Sequence, residues 1–238
     1  MHLGVNIKDK ITNHINKEVY LSAKPEGLPG WTEEHYSRQK LKAAYNYDLN
    51  MQYFECLDKN VFVEHINECC LKSKMKECHD LNELSSVSGV YMMVLDEFKQ
   101  VYIGISNDMK RRIMGHWNKR MPLEKLIFGD VCNSVLSINS FGALDTTRVF
   151  YIESTSPEKM ENKILKRIDP RFSLNRTAGG IGYSDLGVLS QEFVNIEILA
   201  NKRPQIMTHF ADVNILKSIL TESDFNFYLR KYPELKRK

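Results

Sequence analysis

The chain has 238 residues, 42% of them hydrophobic and 26% charged, with a net charge of +3. These ordinary globular proportions permit a sizeable core and exclude a disordered or fibrous chain, while the mild basicity permits a nucleic-acid partner without demanding one. Five cysteines without even spacing argue against a secreted disulfide scaffold. The first residues lack a basic stretch followed by an apolar one, and no apolar run approaches the roughly 20 residues of a membrane span, so the expectation is a cytoplasmic protein.

There is no internal repeat and no low-complexity tract. The chain divides by pattern into a helical region over 1–84, an alternating strand and helix region over 85–183, and a helical region over 184–238 with the basic tail Lys236-Arg237-Lys238. In the first region Gly27-Leu28-Pro29-Gly30 reads as a turn. Thr32, followed by Glu33 and Glu34, starts a helix with acids in its first turn. A second helix is expected from about Val61 to Met75. Tyr45, Tyr47, Tyr53 and Phe54 follow Lys40 and Lys42 in one stretch, a pattern that suits either a packed aromatic face or a DNA contact.

In the middle region Val90, Met92 and Val94 alternate with Tyr91, Met93 and Leu95. Val101, Ile103 and Ile105 alternate in the same way with Tyr102, Gly104 and Ser106. With Asp96-Glu97 as the loop of a hairpin, Tyr91 faces Tyr102 across the pair, and both hydroxyls project from one face. Gly104 follows on that face and leaves room for a phosphate or another backbone.

Asn107 or Asp108 can cap a helix running to Trp117, with Met109, Ile113 and Trp117 as its core stripe. Arg112 and His116 lie four apart on an adjoining stripe. An arginine can grip a phosphate bidentately, and a histidine can orient or protonate a phosphate oxygen or assist a tyrosine. Lys110, Arg111, Lys119 and Arg120 surround them, making this the most basic part of the chain and a candidate DNA contact.

Arg148–Glu153 reads as a further strand. Ser156 and Pro157 then open a helix whose stripe is Met160, Ile164, Leu165 and Ile168. Glu161 sits at the edge of that stripe, where a carboxylate can hold one hard divalent cation. Glu153, at a strand end, and Glu158, near the helix start, are weaker rivals. Asn175 follows in a polar stretch, before the run Thr177-Ala178-Gly179-Gly180-Ile181-Gly182.

The ordered set Gly89-Val90-Tyr91, Tyr102-Ile103-Gly104, Arg112, His116, Glu161 and Asn175 resembles the GIY-YIG nuclease superfamily over roughly residues 88–183. Gly-Val-Tyr stands where the family has Gly-Ile-Tyr, and Tyr-Ile-Gly is intact. Arg112 and His116 follow Tyr102 at the family's spacings of ten and fourteen residues. The resemblance implies an α+β module, a three-stranded antiparallel sheet flanked by helices, here with helical extensions on both sides. It also implies an endonuclease that hydrolyses DNA with one Mg²⁺ or Mn²⁺. A tyrosine, Tyr91 or Tyr102, would be the general base; Arg112 would stabilise the phosphate, Glu161 would hold the metal, and His116 and Asn175 would position groups around it. The central place of the module is similar to restriction-type members, which act on duplex DNA and often dimerise.

Two other readings carry expectations of their own. One is a catalytically idle nucleic-acid-binding module on the same fold. The other is a zinc-dependent interaction protein, with His65, Cys69, Cys70, Cys78 and His79 around the ion. The stretch between Lys119 and Asp145 is longer than the compact family pattern and reads as an insertion that touches DNA.

Overall fold

In the computed structural model the described residues are 1–22, 32–118, 131–132, 134–175 and 206–237. The chain forms two compact units, neither continuous in sequence. One comprises 1–16, 57–119 and 137–203, the other 17–56, 120–136 and 204–238. The expected blocks 1–84, 85–183 and 184–238 are therefore not the units of the fold. The reason lies in helix α3 (Lys59–Ser73), which belongs to the first unit because its apolar face closes over the sheet there.

The fold is α+β. The first unit is built on an antiparallel sheet of four strands, ordered β1 (Lys76–Cys78), β4 (Arg148–Glu153), β2 (Gly89–Leu95) and β3 (Gln100–Ser106). The expected three-stranded sheet is thus corrected to four. β1 is a three-residue charged edge strand, Lys76-Glu77-Cys78, too short to show alternation, and a short charged edge also resists unwanted strand pairing.

The β2–β3 register also differs from expectation. Tyr91 pairs with Gly104, and Met93 with Tyr102. The connection is a four-residue turn, Asp96–Lys99, closed by the amides of Phe98 and Lys99 donating to the carbonyls of Leu95 and Asp96. Phe98 is held against Phe141 at 5.2 Å between ring centroids, and Lys99 takes the left-handed conformation (φ 50°). A loop longer by two residues shifts the register but preserves the side-chain parity. Both tyrosines therefore still share a face, as diagonal neighbours.

The opposite face makes the core. Val90, Met92, Val94, Val101, Ile103 and Phe150 pack against Phe62, Ile66, Cys69 and Cys70 of α3. Ile164 of α5 (Pro157–Leu165) and Ile168 complete this layer. Helix α4 (Met109–Asn118) lies against β2 and β3 from the tyrosine side. Its start is fixed by Asp108, whose carboxylate accepts the Arg111 amide at 2.9 Å. Its buried stripe is the expected Met109, Ile113 and Trp117.

The second unit contains α1 (Lys17–Ser22), α2 (Glu33–Glu55), α6 (Ile206–Phe210), α7 (Val213–Ile219) and α8 (Glu222–Lys231). Thr32 caps α2 as expected, accepting the His35 amide. Tyr45, Tyr53 and Phe54 are buried, and the Tyr45 hydroxyl accepts the Asp212 amide. Tyr47 stacks beside Tyr20, so this aromatic group is a packed face. Buried Asn46 and Asn50 tie down the neighbouring irregular segment by donating to the carbonyls of Val131 and Ser134 at 2.7–2.9 Å. No described helix is long and apolar enough to cross a membrane.

In the first unit the segment before α1 is clamped to the 142–145 turn. Buried Asp145 accepts the amides of Gly142 and Ile15 at 2.7 and 2.6 Å, and the Leu144 amide donates to the Asn13 carbonyl. A Cβ at Gly142 would lie 2.1 Å from the Asn13 backbone. Gly142→Ala is therefore expected to lift residues 9–15 off the turn and to destabilise the protein by about 1–3 kcal/mol. Faster tryptic cleavage after Lys8 and Lys10, together with a lower Tm, is the expected result; an unchanged digestion rate would contradict the clamp.

Candidate active site

Alternation in β2, β3 and β4 places Tyr91, Tyr102 and Gly104 on one sheet face, with Tyr151 in register beside Tyr91. Tyr91 is fully buried. Such a phenol needs a hydrogen-bond partner, because leaving it unpaired costs about 1–3 kcal/mol. His116 supplies one, its Nε2 2.8 Å from the Tyr91 hydroxyl. The Tyr102 ring packs edge-on against the same imidazole at 5.0 Å and lies 6.3 Å from the Tyr91 ring.

Gly104 makes this packing possible. A Cβ there would stand 2.5 Å from the Tyr91 hydroxyl oxygen and 3.0 Å from the Tyr102 ring. A hydrogen alone fits, so the glycine of Tyr-Ile-Gly is required by the tyrosine lying across it. The room it leaves goes to the Tyr91 side chain.

Arg112 stands one turn before His116, is exposed on its outer side, and places its positive charge near both tyrosine hydroxyls. Burial is the main influence on both phenols and pushes their pKa values up. Arg112 opposes that rise at both positions. The nearby Glu161 carboxylate adds to it. Ionising either phenol therefore requires a local proton acceptor or added positive charge.

Glu161 is buried on α5, and its Oε2 has no hydrogen-bond partner. Burial, reinforced by Glu158, raises its pKa to about 6. The rivals Glu153 and Glu158 are both exposed. A buried carboxylate oxygen without a donor is the observation by which a cation can be tested here, and it fits one hard divalent ion. With a single carboxylate from the protein, water and phosphate would supply most of the coordination shell. No group of three or more His, Cys, Asp or Glu that could hold a metal occurs among the described residues.

The zinc expectation fails on the same ground. His65, Cys69, Cys70, Cys78 and His79 form no such group. His65 Nε2 accepts the Asp169 amide at 2.9 Å. Burial holds Cys70 and Cys78 as neutral thiols, with pKa values raised to about 12 and about 11.

Asn175 is used on the backbone of the edge strand. Its Oδ1 accepts the Ile103 amide at 2.9 Å, and its Nδ2 donates to the Ile103 carbonyl at 2.6 Å. The asparagine thus mimics a strand partner for β3 and fixes the backbone next to Tyr102. Of the basic residues, Arg111 is exposed, and Lys110 is bonded to Asn82 Oδ1 at 2.7 Å. Lys119, Arg120 and the Thr177–Gly182 run lie outside the described residues.

Two residues at this face escape sequence reading. Tyr151 lies in a strand whose alternation is legible, but its place beside Tyr91 depends on a strand order that the sequence does not reveal. Asn139 accepts a hydrogen bond from His116 Nδ1 at 2.6 Å, from a segment without periodic signal. No protein family, curated protein or solved structure matches this chain.

The raised Glu161 pKa makes a prediction about stability. Ionised Glu161 is disfavoured in the fold, so its cost is absent below the ordinary value of 4.5, grows between 4.5 and about 6, and is constant above. The full cost is about 2 kcal/mol. Without divalent cations, Glu161→Gln is expected to raise Tm at pH 7.5 by about 5 °C. Less than half of the gain should remain at pH 5. A gain of the same size at both pH values, read by calorimetry, would mean that ionisation of Glu161 is not its source.

Proposed function

We propose that the chain is a metal-dependent endonuclease of the GIY-YIG type that hydrolyses phosphodiester bonds in DNA. The observation that carries this reading is the convergence of Tyr91, Tyr102, Arg112 and His116 on one sheet face, electrostatically coupled to a buried carboxylate with an unpartnered oxygen. A core aromatic pair does not call for an arginine charge beside its hydroxyls and an imidazole bonded to one of them. Phosphoryl transfer calls for both.

In this reading the substrate phosphate approaches the exposed flank of Arg112, and exposed Arg111 beside it attracts the DNA backbone. Arg112 stabilises the negative charge that develops on the phosphate oxygens. Tyr91, relieved of its proton by His116, takes a proton from the attacking water. Tyr102 shares the Arg112 contact and keeps Tyr91 oriented. Glu161 would hold a Mg²⁺ or Mn²⁺ ion, which supplies Lewis-acid activation of the phosphate when bound. Asn175 keeps the strand bearing Tyr102 in place. Restriction-type cleavage of duplex DNA by a homodimer is the finer form of the proposal.

Supercoiled plasmid incubated with the protein and Mg²⁺ or Mn²⁺ should be cut, and EDTA should stop the cutting. Glu161→Ala should abolish cleavage while leaving DNA binding within a few-fold. Arg112→Ala should slow it by about 10²–10³-fold, the loss seen when one transition-state donor is removed. Binding without cleavage by the unaltered protein across several DNA substrates would favour the idle binding module instead.

Tyr91→Phe retains the ring over Gly104 and loses only the hydroxyl. Single-turnover cleavage should fall by at least about 10²-fold. Full activity in this variant would transfer the base role to Tyr102 or to bulk water.

A further inference from the structure

We propose that Asn139 is a positioning residue that fixes His116 in the tautomer protonated on Nδ1, leaving Nε2 to receive the Tyr91 proton. Its catalytic consequence rests on the nuclease reading; the tautomer itself does not.

An amide oxygen only accepts, so the 2.6 Å contact between His116 Nδ1 and Asn139 Oδ1 puts a hydrogen on Nδ1. A neutral imidazole carries a single N–H. Nε2 is then the acceptor, and its 2.8 Å contact with the Tyr91 hydroxyl is made by the tyrosine's own hydrogen. The two bonds at opposite ends of the ring are mutually consistent in one tautomer alone.

Asn139 is well placed for such a task. It lies in the 3₁₀ turn Ile138–Ser140, where its amide donates to Ser137 Oγ at 3.2 Å and the Ser140 amide donates to the Ser137 carbonyl at 2.8 Å. The turn packs on α4. An amide oxygen stabilises the Nδ1–H without adding a negative charge to the ring, as a carboxylate would. Asn139 also belongs to the stretch between Lys119 and Asp145 that exceeds the family's compact pattern. The end of that extra length thus returns to the site and contributes a residue to it.

The Tyr91 O–H bond breaks as a bond to His116 Nε2 forms, giving phenolate and imidazolium. The phenolate takes a proton from the attacking water as its oxygen bonds to phosphorus. The leaving oxygen departs with the P–O electron pair and takes a proton from solvent, and His116 returns one to solvent. The net change is addition of water across the P–O bond.

The test is a long-range ¹H–¹⁵N spectrum of the full chain labelled in histidine, at pH 8, with the His116 signals assigned by their loss in His116→Gln. Wild type should show the pattern of an Nδ1–H imidazole. Asn139→Leu, which keeps the volume and removes the acceptor, should lose that pattern, and Asn139→Asp should restore it. In cleavage assays Asn139→Leu should lower kcat by about 10–100-fold, the usual penalty for losing an orienting partner, with KM within about twofold. An Nε2–H pattern in wild type, or an unchanged pattern and kcat in Asn139→Leu, overturns the proposal. The expected patterns in a wild-type protein that cuts no DNA would uphold the tautomer assignment and overturn the nuclease reading separately.

Discussion

The site depends on one buried hydroxyl. Tyr91 is inserted into the sheet layer, away from bulk solvent, so the surrounding chain must satisfy its hydroxyl. Each neighbour follows from that need. Gly104 gives the ring space, the β2–β3 register puts Gly104 opposite, α4 supplies His116 and Arg112 one turn apart, and Asn139 completes the far side of the imidazole. The same burial that makes Tyr91 a poor acid in isolation makes the local acceptor effective, because the proton has one short path to follow. Arg112 opposes the phenol's raised pKa and Glu161 adds to it, so the hydroxyl feels charges of opposite sign.

Much of this arrangement is legible in the sequence, and the reasons are local. Period-two alternation marks β2, β3 and β4. Spacing of four puts Arg112 with His116, and a carboxylate at the edge of an apolar helical stripe singles out Glu161 over its exposed rivals. Short-range chemistry of this kind survives folding unchanged. What the sequence hides is set by longer-range packing. The hairpin turn is four residues long because Phe98 finds Phe141, which is distant in sequence. β1 carries too few residues for a pattern to show. Asn139 lies 23 residues from His116, in a turn with no periodicity at all. Asn175 is legible as a polar residue near a turn, but its use as a strand mimic for Ile103 depends on where the chain passes after α5.

The two carboxylates that burial marks out serve different ends. Asp145 is also raised in pKa by burial, but backbone amides from Gly142 and Ile15 satisfy it. It works as a clamp. Glu161 has no such donors on Oε2. The contrast separates a buried acid that the fold consumes from one that it leaves available, and the distinction comes from counting donors and not from burial itself.

The interleaving of the two units has a consequence for the order in which the protein can be assembled. The strands and helices described for the sheet unit are complete once residue 175 has been made, whereas the other unit draws on 17–56, 120–136 and 204–238. During synthesis from the N-terminus, α2 is made early and must wait for the C-terminal helices before Tyr45 meets the Asp212 amide. The sheet and its tyrosine site can meanwhile close. A chain stopped near residue 175 would thus carry every motif residue of the site together with an uncovered aromatic helix, a species prone to self-association.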